Sequence, residues 1–127
     1  MKFGIFCLNP PFRGMGKNTQ VRKLQRKGNE AHHIIQNAAV RNLKGYSRGK
    51  APTVSLSKAA HKKTFAVQRQ KGGGTYASER RIAYKSLRRS GVSERKARKM
   101  IRQTDKHFAK LGVTGSTKTR IPGNRKR

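Results

Sequence analysis

The 127-residue sequence predicts an α+β fold in which two short strands and a helix form a small core, an antiparallel helical pair is added to it, and both termini are basic and flexible. Three observations lead there. Two brief strand signals, "EAHHII" and "TVSLS", occupy the first half of the chain, and three helical stretches follow. Each helical stretch opens on a serine or threonine and stops at glycine, the chemistry of helix caps. Finally, 32% hydrophobic residues and no tryptophan limit the core to a small, mostly aliphatic one.

Residues 1–27 mix Gly, Pro, Asn and basic side chains without a sustained period and read as an irregular basic arm, with a short helix at about 20–26. Residues 28–112 hold the folded domain. Its first strand ends on the adjacent pair His32 and His33, and a loop broken by Gly45, Gly49 and Pro52 leads to "TVSLS", where Val54 and Leu56 alternate with hydroxyl residues. Ser57 caps a helix that runs to Gly72–Gly74, with Ala60, Thr64 and Val67 on one face and His61, Phe65 and Gln68 on the next. A Thr75 cap opens the second helix, striped by Tyr76, Ala83, Tyr84 and Leu87 and ended by Gly91. Ser93 opens the third, with Ala97, Met100, Ile101, Phe108 and Leu111 as its buried face. These two helices should pack over the strand-strand-helix unit. The tail, residues 113–127, has no apolar face and is expected to be mobile.

Lys and Arg total 33 against four acids, a formal charge of +29, so few charges can pair internally. Such a chain works beside a polyanion or an acidic partner, and nucleic acid is the first candidate because phosphates release counterions to any cationic surface. The single cysteine, Cys7, excludes an internal disulfide framework. The run "FGIFCL" is too short to span a membrane, and no signal-peptide pattern is visible, so export would need another carrier.

Paired imidazoles are not needed merely to grip phosphate. Neighbouring residues of a strand face opposite ways, so His32 and His33 suit a division of labour: one holds a metal while the other reaches a water beside it. His61, 28 residues beyond His33 and on the following helix, can complete the metal site.

This order of strand with two histidines, loop, strand, and helix with a histidine resembles the ββα-metal fold of the HNH and endonuclease VII (His-Me finger) nucleases. The block from "HHIIQNAAV" to "IAYKSL" is similar to toxin nucleases of that superfamily with AHH- or GHH-type signatures, found as C-terminal domains of bacterial polymorphic toxins and type VI secretion effectors. Carried over, the resemblance makes His33 the general base and His32 and His61 ligands of one divalent ion, Mg²⁺ first, with Zn²⁺ or Mn²⁺ as alternatives. It implies an endonuclease toxin that hydrolyses DNA with little sequence preference. Such a toxin is made in a bacterial cytoplasm, delivered by a secretion system to act in the target cytoplasm, and restrained by a cognate immunity protein. Against a +29 chain that partner should be acidic, and no stable membrane association is expected.

Arg41, Arg48, Lys62, Lys63, Arg69, Arg80 and Arg81 are candidate phosphate contacts. Relatives often carry proline after the paired histidines, where this chain reads Ile34-Ile35-Gln36-Asn37, and no aspartate lies near the expected site. Asn37 and Asn42 are candidate auxiliary polar groups. Glu79 is another, either orienting a histidine or pairing with arginine or lysine on its own helix. The rival readings are a noncatalytic nucleic-acid-binding protein, which explains the charge equally well, and a ribonuclease on the same fold. A membrane-active basic toxin lacks the amphipathic face it would need.

Overall fold

The computed structural model describes residues 15–25 and 27–125. The arm ahead of Met15, including Cys7, and the last two residues lie outside the described residues. The fold is α+β, as the sequence predicts: the described residues form one three-stranded antiparallel sheet and five helices.

Strand β1 (Met15–Lys17), helix α1 (Asn18–Leu24) and strand β2 (Asn29–His33) come first. A single helical turn, α2 (Asn37–Val40), follows, then strand β3 (Pro52–Ser57) and helix α3 (Lys58–Gln68). Helices α4 (Tyr76–Arg89) and α5 (Glu94–Ala109) complete the order. β3 is central, paired with β1 on one side and β2 on the other. The β2 register sets His32 opposite Val54 and Glu30 opposite Leu56. By strand alternation these four share the face that meets the helices, whereas His33 lies on the opposite face with Thr53. There α1 packs against β2 and β3, and Asn18 donates to Thr53 Oγ1 across 3.3 Å.

The expected caps are present. Ser57, Thr75 and Ser93 side chains accept from the backbone N–H groups of Ala60, Ser78 and Lys96 at 3.1, 3.2 and 3.3 Å. α3 buries Ala60, Thr64 and Val67, as its spacing predicts. A short turn at residues 90–93 returns α5 against α4, and Phe108 of α5 sits at the centre of the core, 1% exposed, between Tyr46 and Tyr76. Leu56, Val54, Met15, Leu87 and Met100 fill the remaining space.

Three features depart from the sequence expectation. β1 extends the sheet, although "MGK" is too short to show a period; burial of Met15 in the core holds it there. α2 interrupts the loop after the histidines. The segment 113–125, expected to be mobile, is held by the start of α4. The first amides of a helix lack intrahelical partners, and here Thr117 O and Gly115 O accept from the N–H groups of Tyr76 and Ala77 at 2.9 Å each. The next residues donate onward, Thr119 N to Gly74 O at 3.0 Å and Arg120 N to Ala39 O at 2.9 Å. The segment ends on Arg125, which is 3% exposed.

Candidate active site

Of the three histidines expected to act together, His32 and His61 meet directly and His33 lines a cleft with both, because α3 starts beside the first residue of β2, where its cap Ser57 pairs with Asn29, and packs against that strand. His32 and His61 lie edge to face with ring centroids 5.2 Å apart. His32 faces the helices and is buried; its Nε2 has no hydrogen-bond partner. Burial, with His61 and His33 adding to it, lowers the His32 pKa from 6.5 to about 3, so this imidazole is neutral at physiological pH. A neutral, unpartnered nitrogen in a buried setting is costly unless it has a ligand to meet.

His61 is oriented by Glu30. Its Nδ1 lies 3.0 Å from Glu30 Oε1. An ionised carboxylate only accepts, so Nδ1 carries the proton and Nε2 keeps a lone pair free for a ligand. Glu30 is the site residue that sequence reasoning passed over. The signal was available in strand alternation, since Glu30 precedes His32 by two residues and shares its face.

His33 points the other way, its Nε2 3.3 Å from the backbone carbonyl oxygen of Arg48. A carbonyl accepts, so Nε2 is the donor and Nδ1 the basic nitrogen. Burial lowers the His33 pKa below 6.5; the Arg48 carbonyl bond opposes the shift and the Arg48 and Arg22 charges add to it. A neutral imidazole fixed by its far nitrogen is arranged to take a proton from water near neutral pH.

Two small clefts, both open, flank these rings. One of about 400 Å³ is lined by His33, His61 and Glu30 with the cations Arg22, Arg48 and Lys58. The other, about 320 Å³, is lined by His32, His33, Gln36, Asn37, His61 and Gln68. The more voluminous groove, about 480 Å³, lies away from all three histidines between α4 and α5, lined by Arg80, Arg81, Tyr84, Arg98 and Arg102 among others. Titratable groups with displaced pKa values and convergent polar atoms make the histidine clefts, whatever their size, the candidate site.

The other expected site residues divide. Asn37 lines the second cleft and accepts from Tyr46 Oη at 2.7 Å. Asn42 is exposed beyond α2 and lines neither cleft. Glu79 orients no histidine and pairs with no cation of its own helix. It is 1% exposed and forms a bidentate ion pair with Arg125, far along the chain. Arg48 borders the first cleft. Arg41, Lys62, Lys63, Arg69 and Arg81 are exposed, with Arg69 over the Phe65 ring. Arg80 is engaged by Asp105 at 2.9 Å. Arg22 and Lys58 were missed as cleft cations, because only packing of α1 on the sheet brings Arg22 to His33.

Among the described residues no group of three or more His, Cys, Asp or Glu side chains forms a metal cage. The donors that would hold an ion here are two neighbouring imidazoles, His32 and His61, a nitrogen pair that suits a divalent ion. The orphaned, buried His32 nitrogen carries that fit.

No helix among the described residues is long and apolar enough to cross a membrane. No curated protein and no solved structure matches the chain. Residues 26–109, about two thirds of the chain, match the family Tox-SHH, an HNH/Endo VII superfamily toxin with a SHH signature. The signature pair is His32-His33, with Ala31 standing where the family name has serine. With a strand-end histidine pair whose inward member, His32, meets the helix histidine His61, and a family profile spanning every one of those residues, this chain belongs to the Tox-SHH toxins of the HNH/Endo VII nuclease superfamily.

Proposed function

We propose that the protein is a metal-dependent endonuclease toxin that cuts DNA with little sequence preference and serves as an antibacterial effector. The observation that carries this reading is that a fixed His33 lines one cleft with two further imidazoles, His32 and His61, and with His61 also borders a second, strongly cationic cleft.

In this mechanism His33 Nδ1 accepts a proton from the attacking water, while Nε2 stays hydrogen bonded to the Arg48 carbonyl. His32 and His61 would hold a divalent ion, which would supply Lewis-acid stabilisation of the extra charge on the phosphate and the departing 3′ oxygen. Glu30 keeps the His61 ring in its ligating orientation. Arg22, Arg48 and Lys58 receive the phosphate backbone beside the scissile bond, and the exposed cations Arg41, Lys62, Lys63, Arg69 and Arg81 extend that contact. Backbone grip without base-edge contact supports the weak sequence preference. Mg²⁺ is the first candidate ion; Zn²⁺ and Mn²⁺ are the alternatives that two nitrogen ligands also suit.

The toxin family supports delivery into a target cell and a cognate immunity protein. We expect that protein to be acidic and to associate faster at low salt.

Plasmid cleavage with Mg²⁺, Mn²⁺, Zn²⁺ or EDTA, beside His33→Ala, tests the activity. Cutting should require a metal and fall by about 10²- to 10⁴-fold in the variant, the usual contribution of a general base. Retarded but uncut plasmid with every metal would overturn the nuclease reading in favour of a noncatalytic binder. The same assay with RNA separates the two backbones.

A further inference from the structure

Arg125 is a buried cation that the nuclease reading leaves without a role. Its guanidinium meets both carboxylate oxygens of Glu79, donates from Nε to Gln68 O at 3.0 Å and from Nη1 to Gly72 O at 3.3 Å. Its Nη2 donates to Gln36 Oε1 at 2.9 Å. Gly73 is required beside this pair: its φ is +107°, and a Cβ there would overlap Arg125 Nη1 and Glu79 Oε2.

The bond to Gln36 reaches the site. Gln36 follows His33 by three residues and lines the same cleft as His32, His33 and His61. A guanidinium has donors and no acceptor, so the Gln36 amide must present its oxygen to Arg125. Flipping the amide would set its NH₂ against another donor. The end left to meet a ligand is therefore Nε2, which can only donate.

We propose that Gln36 Nε2 donates a hydrogen bond to a non-bridging oxygen of the scissile phosphate, and that Arg125 is the positioning residue that fixes the amide for it. This rests on the nuclease reading and extends it. Negative charge grows on those oxygens as water attacks, and a donor already aimed at them acts more strongly on the transition state than on the bound substrate. Gln36 is free to be so aimed because its acceptor is committed elsewhere. Gln68 comes from the last turn of α3 and lines the same cleft, so the clamp also ties that helix to the site.

The test has a binding arm and a kinetic arm. In a His33→Ala background, the side-chain amide resonances of Gln36, assigned by their loss in Gln36→Leu, are followed while a short DNA duplex is added. They should shift together with the His61 ring signals. A shift at His61 with Gln36 unmoved overturns the inference alone; no shift at either overturns it along with the nuclease reading. In the kinetic arm, Gln36→Leu should lower kcat by roughly 100-fold, the scale for losing one transition-state donor, with KM within about twofold. Gln36→Glu, which keeps an oxygen for Arg125 and loses the donor, should rescue nothing.

Arg125→Lys should lower kcat in the same sense, and the double variant Gln36→Leu/Arg125→Lys should be no slower than Gln36→Leu. Multiplied losses would overturn the positioning role. Should Arg125→Lys not fold, Glu79→Leu/Arg125→Met removes both buried charges and carries the same comparison.

Discussion

Glu30 Oε1 and His61 Nδ1 lie 3.0 Å apart, joining the second residue of β2 to the first turn of α3 across 31 positions of sequence. The contact decides which imidazole nitrogen faces the cleft. Because the Glu30 side chain is 46% exposed, its worth lies in orientation more than in stability. Glu30→Ala should weaken divalent-ion binding by about 10- to 100-fold while leaving the melting temperature nearly unchanged. Calorimetric titration with Mn²⁺ or Zn²⁺, beside a thermal melt, checks both halves; unchanged metal affinity would remove Glu30 from the site.

Catalysis should survive mild acid. His33 acts as a base only when neutral, and burial lowers its pKa below 6.5, so it remains neutral to a lower pH than a free imidazole. The acid limb of kcat/KM should have its midpoint below 6.5. Arg22 contributes to the lowering, so Arg22→Ala should move that limb upward. A limb at or above 6.5 in the unaltered protein would point to another titrating group.

Stability should fall over the same acidic range, for a different reason. His32 ionises near 3 when folded and near 6.5 when unfolded, so between these values the unfolded chain binds the extra proton. The contribution is fully present above pH 6.5 and is lost as pH falls towards 3. Its full span is about 4–5 kcal/mol, at about 1.36 kcal/mol per pKa unit. Denaturant unfolding in EDTA at pH 7 and 4.5 should show the slope, and His32→Leu should flatten it.

Glu79→Ala leaves Arg125 buried without its anion and should cost about 3–5 kcal/mol in denaturant unfolding. Replacing both partners, as in Glu79→Leu/Arg125→Met, should recover most of that loss, since a well-packed apolar pair avoids desolvating two charges. A double variant as unstable as the single one would show that the clamp's other hydrogen bonds, to Gln68 and Gly72, matter more than the charge pair.

The α4–α5 groove should contribute to the grip on nucleic acid. Asp105 offsets Arg80 and Glu94 offsets Arg98, whereas Arg81 and Arg102 are exposed on the lining of the groove. Arg81→Ala/Arg102→Ala should weaken DNA binding uniformly across sequences and reduce the slope of log K against log salt by about 2, near one per phosphate contact. The pair Arg89→Ala/Arg95→Ala, equal in charge and outside the groove lining, serves as the control. Equal effects from both pairs would mean that only total charge matters.

Sequence by itself determined the α+β class and the capped helices, and it singled out the histidines of the candidate site, because these depend on local chemistry. Cap hydroxyls, stop glycines and a helical stripe such as Ala97, Met100, Ile101 and Phe108 are written within one turn or two of chain. The pair His32-His33 was legible for the same reason. Only the tertiary structure decided what each histidine faces. Sheet order and register turn His32 inward to His61 and His33 outward to the Arg48 carbonyl, and they bring Glu30 to His61. The tail was legible least of all. Residues 113–125 have no periodic apolar face, and their order comes from orphan amides at the start of α4 and from one arginine, Arg125, that meets a glutamate 46 positions away. A hydrogen bond or ion pair between distant segments leaves no period in either one, so folding alone discloses it.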